Sequence, residues 1–116
     1  MAAPAELTRG IEHFNQREFF EAHEVWETLW RATPGPEREL YHGMIQLAVT
    51  GLHLTRGNVP GARYELDRAR THLTPFLPRA QGIDLTGLLQ QIERCLAQGS
   101  AQDLPSITLN IETREG

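Results

Sequence analysis

Residues 19–30 read Phe-Phe-Glu-Ala-His-Glu-Val-Trp-Glu-Thr-Leu-Trp and hold the side chains most able to do chemistry in this chain. On a helix, His23 and Glu27 stand at i and i+4, so they share a face; Glu24 and Glu27, at i and i+3, are also neighbours. Glu21 adds a carboxylate one turn before Glu24. An imidazole and carboxylates at this spacing can ligate a divalent cation, or can bond to one another and lock a helix in place.

The metal reading follows from the string His-Glu-Val-Trp-Glu at 23–27. It resembles the H-E-x-x-H pattern of zinc helices, but glutamate replaces the second histidine, which weakens the match. In that pattern two ligands one turn apart hold the ion and the intervening glutamate activates water. His23, Glu24 and Glu27 are therefore candidate ligands. A metal-dependent hydrolase would use Glu24 or Glu27 as base. A wider set includes the next helix, where His42, Gln46, Val49 and His53 lie along one stripe. Facing His23, that stripe could converge with it as in carboxylate-rich bundle sites, although the acid-to-histidine spacing differs here.

The architectural reading starts from the same residues. Phe19, His23, Trp26 and Trp30 fall on one helical stripe, so His23 can be a buried imidazole bonded to a carboxylate. Arg56 or Arg63 could then pair with Glu21, Glu24 and Glu27. Trp26 and Trp30 read as core anchors, because each buries a large area. As a stacking platform for a flat ligand they would instead need an open cavity beside them. This reading expects a buried polar cluster of Glu21, His23, Glu24, Glu27, Gln46 and His53 between the second and third helices. It makes the chain a structural or protein-interaction module, with a homodimer as its expected assembly. No cofactor is expected on this reading; a divalent metal is the alternative.

Composition narrows the field. The 116 residues suit one domain. A net charge of −4 argues against a dedicated nucleic-acid binder. The longest internal apolar run, Leu47-Ala48-Val49, is far short of the ~20 residues that span a bilayer. Residues 1–20 show no secretory pattern, and Cys95 is the sole cysteine, so a cytoplasmic location is expected. All 11 basic residues are arginine, which removes Schiff-base and P-loop lysine chemistry.

The elements that position these residues are all helical. Leu7, Ile11 and Phe14 mark a first helix from about Glu6 to Gln16, although Gly10 weakens it. The second runs from about Glu18 to Ala32 and stops at Thr33-Pro34-Gly35-Pro36. The third, about Glu37 to Arg56, carries the broad stripe of Leu40, Met44, Leu47, Ala48, Gly51 and Leu52, and is expected to be central. Gly43 and Gly51 share a face and suit close helix approach. A fourth helix spans about Pro60 to Phe76, with Ala62, Leu66, Ala69, Leu73 and Phe76 inside. Residues 78–84 read as a loop, and His13 and His72 as surface residues. Asp84 caps a fifth helix, Leu85 to Gln98, ended by Gly99. In the tail, 103–116, Ile107, Leu109 and Ile111 alternate with polar residues, predicting an extended arm on the bundle or on a second subunit.

The string Phe20-Glu21-Ala22-His23-Glu24-Val25-Trp26-Glu27-Thr28-Leu29-Trp30 resembles the signature of a small bacterial and plastid helical family, domain of unknown function 309. Gly43-Met44-Ile45-Gln46-Leu47-Ala48 is similar to its second motif, with Met44 where leucine is usual. Gly57-Asn58-Val59-Pro60-Gly61-Ala62 is similar to its third. The likeness covers about residues 7–77. It implies an all-α, irregular single-domain bundle and marks Glu21, His23, Glu24, Trp26, Glu27, Trp30, Gln46 and His53 as signature positions. It implies no activity. The expected architecture is thus one all-α domain of about five helices with an extended C-terminal tail.

Overall fold

A computed structural model describes residues 4–109; Ile111 and the end of the expected arm lie outside the described residues. The order is α1 (Ala5–Asn15), α2 (Phe19–Ala32), α3 (Glu37–Thr55), α4 (Val59–Leu73), a hairpin of β1 (Arg79–Ala80) and β2 (Ile83–Asp84), then α5 (Leu85–Gln98). The protein is an all-α bundle with one very small sheet. Among the described residues no helix is long and apolar enough to cross a membrane.

The centre is α3. It packs against α2 and α4, and the run Gly43–Ala48 is buried without interruption. A helix that is apolar nearly all round can be stable only if it is covered on several sides. Gly43 and Gly51 do permit close approach, to different partners. A Cβ at Gly43 would lie 2.5 Å from Leu73 of α4, and one at Gly51 would lie 2.7 Å from Phe19 of α2.

α1 packs on α2 through a tryptophan socket. Trp26 is fully buried, and its indole Nε1 donates to the Leu7 carbonyl at 3.2 Å. Gly10 makes the room, since a Cβ there would meet the indole at 2.0 Å. The glycine that weakened the expected first helix is therefore what allows that helix to dock. Phe14 closes the socket, edge-on to Phe19 at 5.1 Å and 6.1 Å from Trp26.

Local chemistry sets the later elements. The Asn58 and Asp84 side chains accept from the Gly61 and Gly87 amides, each at 3.0 Å, and so cap α4 and α5. Gly99, at φ +68°, ends α5. The fourth helix stops earlier than expected, giving way to a 3-10 turn at Thr74–Phe76. The expected loop at 78–84 is instead an antiparallel hairpin pairing Arg79 with Asp84 and Ala80 with Ile83. Its turn, Gln81-Gly82, has positive φ at both residues, +49° and +82°, the twist that two-residue hairpins require. Tyr41 donates to Gln81 Oε1 at 3.0 Å, tying that turn to α3.

The arm lies on its own bundle over the described part. Asn15 Nδ2 donates to the Ile107 carbonyl at 2.9 Å and Asn15 Oδ1 accepts from the Ile107 amide at 2.7 Å. One side chain thus does what a neighbouring strand would do. Arg17 donates to the carbonyls of Leu104 and Pro105, and Leu104 and Ile107 are buried.

Arg63 does not serve the glutamates of α2. With Arg70 it clasps Glu93 of α5, Arg70 at 2.7 Å. Arg63 holds the Glu93 carboxyl below the usual carboxylate range.

Two outcomes follow. Gly10→Ala gains about 1 kcal/mol of helix propensity but crowds the indole, so urea unfolding should show a net loss of about 1–3 kcal/mol. Glu93 has a depressed folded pKa, so its contribution is present above the unfolded value and lost as pH falls through the folded one. The urea midpoint difference between wild type and Glu93→Gln should therefore be constant above about pH 5 and shrink below about pH 4.

Candidate functional site

The packing of α2 decides which side chains reach solvent. Its buried stripe is Phe19, Ala22, Trp26 and Leu29, not Phe19, His23, Trp26 and Trp30. Both sets have helical spacing. The small Ala22 lets α2 approach closely, and this turns His23 and Trp30 to the edge of the interface. Both are half-buried.

His23, Glu24 and Glu27 are brought together. Each offers one donor atom, all within 4.8 Å of one another. His23 Nδ1 lies 3.7 Å from Glu24 Oε2, and that nitrogen is buried without a hydrogen-bond partner among the described residues. Glu27 is half-buried and pairs with Arg31, one turn on, at 3.3 Å. Glu24 is exposed, and so is Phe20, whose ring stands 6.0 Å from the His23 imidazole.

The other expected members go elsewhere, so the six residues do not form one buried cluster. Glu21 is exposed. Gln46 is buried, and its Oε1 accepts from His72 Nδ1 of α4 at 2.8 Å. His53 sits at the end of α3, where Asn58 Nδ2 donates to its Nδ1 at 3.1 Å. Asn58 thus joins the α3–α4 turn with both ends of its amide. The division has a physical cause: Gln46 and His53 are seven residues apart on α3 and face α4 and the turn, whereas His23 stands on α2.

Trp26 is a core anchor, as expected. Trp30 is only half-buried, and its ring is engaged within the chain. The Arg38 guanidinium lies over it at 4.2 Å and the His42 ring stands 5.1 Å away. Two grooves lie away from it, one of about 180 Å³ between α5 and the arm, another of about 220 Å³ beside Cys95. Neither of these two touches a tryptophan. Cys95 is buried, and burial pushes its thiol up.

Sequence reasoning missed one grouping. His72, expected at the surface and alone, is half-buried and stacks on His42 with ring centroids 4.1 Å apart. Its Nε2 lies 3.5 Å from Glu39 Oε1. Burial, and then the charge of His72, hold His42 below the usual histidine range. Glu39 and His42 are one turn apart on α3 and were legible as a pair; nothing local to α4 announces that His72 completes them. His13 is likewise half-buried, bonded to Glu18 at 2.7 Å.

The profile of the family described as domain of unknown function (DUF309) matches residues 7–64, half of the chain. The chain belongs to this family. It is also similar to the uncharacterized protein YpuF of Bacillus subtilis (strain 168), at 41% identity over 54 residues. That match spans 46% of this chain and 31% of YpuF, so the likeness covers about a third of the longer protein. The family segment includes His23, Glu24, Glu27, Trp30, Gln46, His53 and Asn58, and stops short of His72.

Asn58 should repay a direct test. Asn58→Ala loses the helix cap and should lower urea stability by about 1 kcal/mol, whereas Asn58→Asp, which can still cap, should keep most of it.

Proposed function

We propose that this family member is a small helical binding protein that holds a divalent cation at His23, Glu24 and Glu27. The observation that carries the reading is the His23 Nδ1 atom, buried and unpartnered among the described residues, 3.7 Å from Glu24 Oε2 in a group that Glu27 completes. A buried polar atom without a partner costs free energy that an ion would return. The carboxylates are also available: among the described residues only Glu27 has an arginine partner, Arg31, and that pair is weak, with Arg31 exposed. One imidazole and two carboxylates suit zinc or manganese. With all three groups engaged by the ion, the set retains no further carboxylate as base, which favours binding over hydrolysis. A reducing cytoplasmic compartment suits the lone Cys95.

The exposed Phe20 beside His23 favours a second reading, an interaction module whose α2 face pairs with a second copy or another protein.

Titration of the untagged chain with Zn2+ and Mn2+, followed through the His23 ring nitrogens by NMR, separates the two. The first reading expects about one equivalent at this site, with affinity at least tenfold weaker in His23→Ala. An unmoved His23 signal in saturating metal would sink it. A metal-indifferent dimer that Phe20→Ser converts to a monomer would establish the second.

A further inference from the structure

We propose that Glu39, His42 and His72 form a second metal site, for a divalent ion of the zinc class, where α3 meets α4. It does not depend on the His23 set and shares no residue with it.

The donor atoms of the three side chains lie within 4.8 Å of one another. The Glu39 Oε1 to His72 Nε2 separation is 3.5 Å. Around a tetrahedral ion with bonds of about 2.0–2.1 Å, ligand atoms stand about 3.3–3.4 Å apart. This edge of the site is therefore already at ligand spacing, and small side-chain rotations bring in the third. The two imidazoles are stacked at 4.1 Å with a tilt of 32°, so they present their edges side by side.

Hydrogen bonding decides which nitrogen of His72 is offered. Its Nδ1 lies 2.8 Å from Gln46 Oε1 and 3.1 Å from the Arg68 carbonyl. A carbonyl oxygen only accepts, so Nδ1 carries the proton. In the neutral ring the lone pair is then on Nε2, the atom that faces Glu39. A lone pair aimed at a carboxylate oxygen is repulsive unless a cation stands between them, either a proton or a metal. Ligating histidines are commonly held in this way, the far ring N–H bonded to an acceptor that sets tautomer and orientation. Gln46, buried and anchored on α3, is that positioning residue here.

Two imidazoles and one carboxylate select a borderline ion over magnesium or calcium, and three protein ligands leave one position for water. Glu39 is exposed and the two histidines are half-buried, so the ion can enter from solvent.

The test uses the full chain carrying His23→Ala, which removes the first set. Zn2+ is titrated while the ring nitrogens of His42 and His72 are followed by long-range proton–nitrogen NMR. The expected result is a saturable shift of His72 Nε2 and of one His42 nitrogen at about one equivalent. Glu39→Gln, at an exposed position that should not disturb folding, should weaken binding at least tenfold. Gln46→Met should weaken it about 10–100-fold, with both histidines still present. Rings that do not respond to excess Zn2+, with His72 doubly protonated against Glu39, would overturn the proposal. So would equal affinities for the parent and Glu39→Gln, because that would be binding by histidines alone. Failure of the His23 set leaves this result unchanged, since that set is absent from the protein tested.

Discussion

The seat of Trp26 against α1 governs the rest of the structure. Its indole fits only because Gly10 lacks a side chain, and its N–H is satisfied only because the Leu7 carbonyl lies within reach. A fully buried indole with an unmet donor would cost more than most single contacts return. Once the ring is seated, the rotation of α2 about its axis is set. Ala22 and Leu29 then face inward and His23, Glu27 and Trp30 lie along the edge. The polar face of α2 is thus a consequence of packing one apolar ring.

The charged groups of this face are only partly consumed internally, by the Arg31–Glu27 pair of α2 itself. The arginines that might have neutralised them are used elsewhere, Arg63 and Arg70 on Glu93 and Arg38 over Trp30. What remains beside His23 is an imidazole nitrogen without a partner among the described residues, the exposed Glu24 carboxylate, and Glu27, paired with Arg31 of its own helix. Beside Trp30, α3 and α4 bring a pair of imidazoles against Glu39. Both groups lie beside rigid helix contacts, and rigid elements hold donor atoms better than loops do.

Much of the fold was legible because its signals are local. The helix ends at Pro34–Pro36, Asp84 and Gly99 depend on residues within a turn of the boundary, and they stand where the sequence puts them. Most of the inner face of α4 follows from spacing alone: Ala62, Leu66, Ala69 and Leu73 are all fully buried, while Phe76, expected with them, falls in the 3-10 turn and is half-buried. The hairpin at 79–84 was not legible, because Gln81-Gly82 lacks the usual asparagine or aspartate. What supports Gln81 is Tyr41, forty residues away. The arm was legible as extended, but its dock on Asn15 was not, since a single asparagine carries no periodic signal.

By itself the sequence determined the helix count and order, the central place of α3, the family, and the presence of His23, Glu24 and Glu27 on one stretch of helix. These are properties of neighbours along the chain, set by a 3.6-residue period and by capping chemistry. The tertiary structure alone decided which of two equally periodic stripes of α2 is buried, that Gln46 serves His72 and not His23, and that His53 belongs to the α3–α4 turn. It also decided that Glu39, His42 and His72 meet. Periodicity defines a helical face only to within about one residue, and it carries no information about which helix will lie against that face. Close packing, here of Trp26 on Gly10, Phe19 on Gly51 and Leu73 on Gly43, supplies that choice.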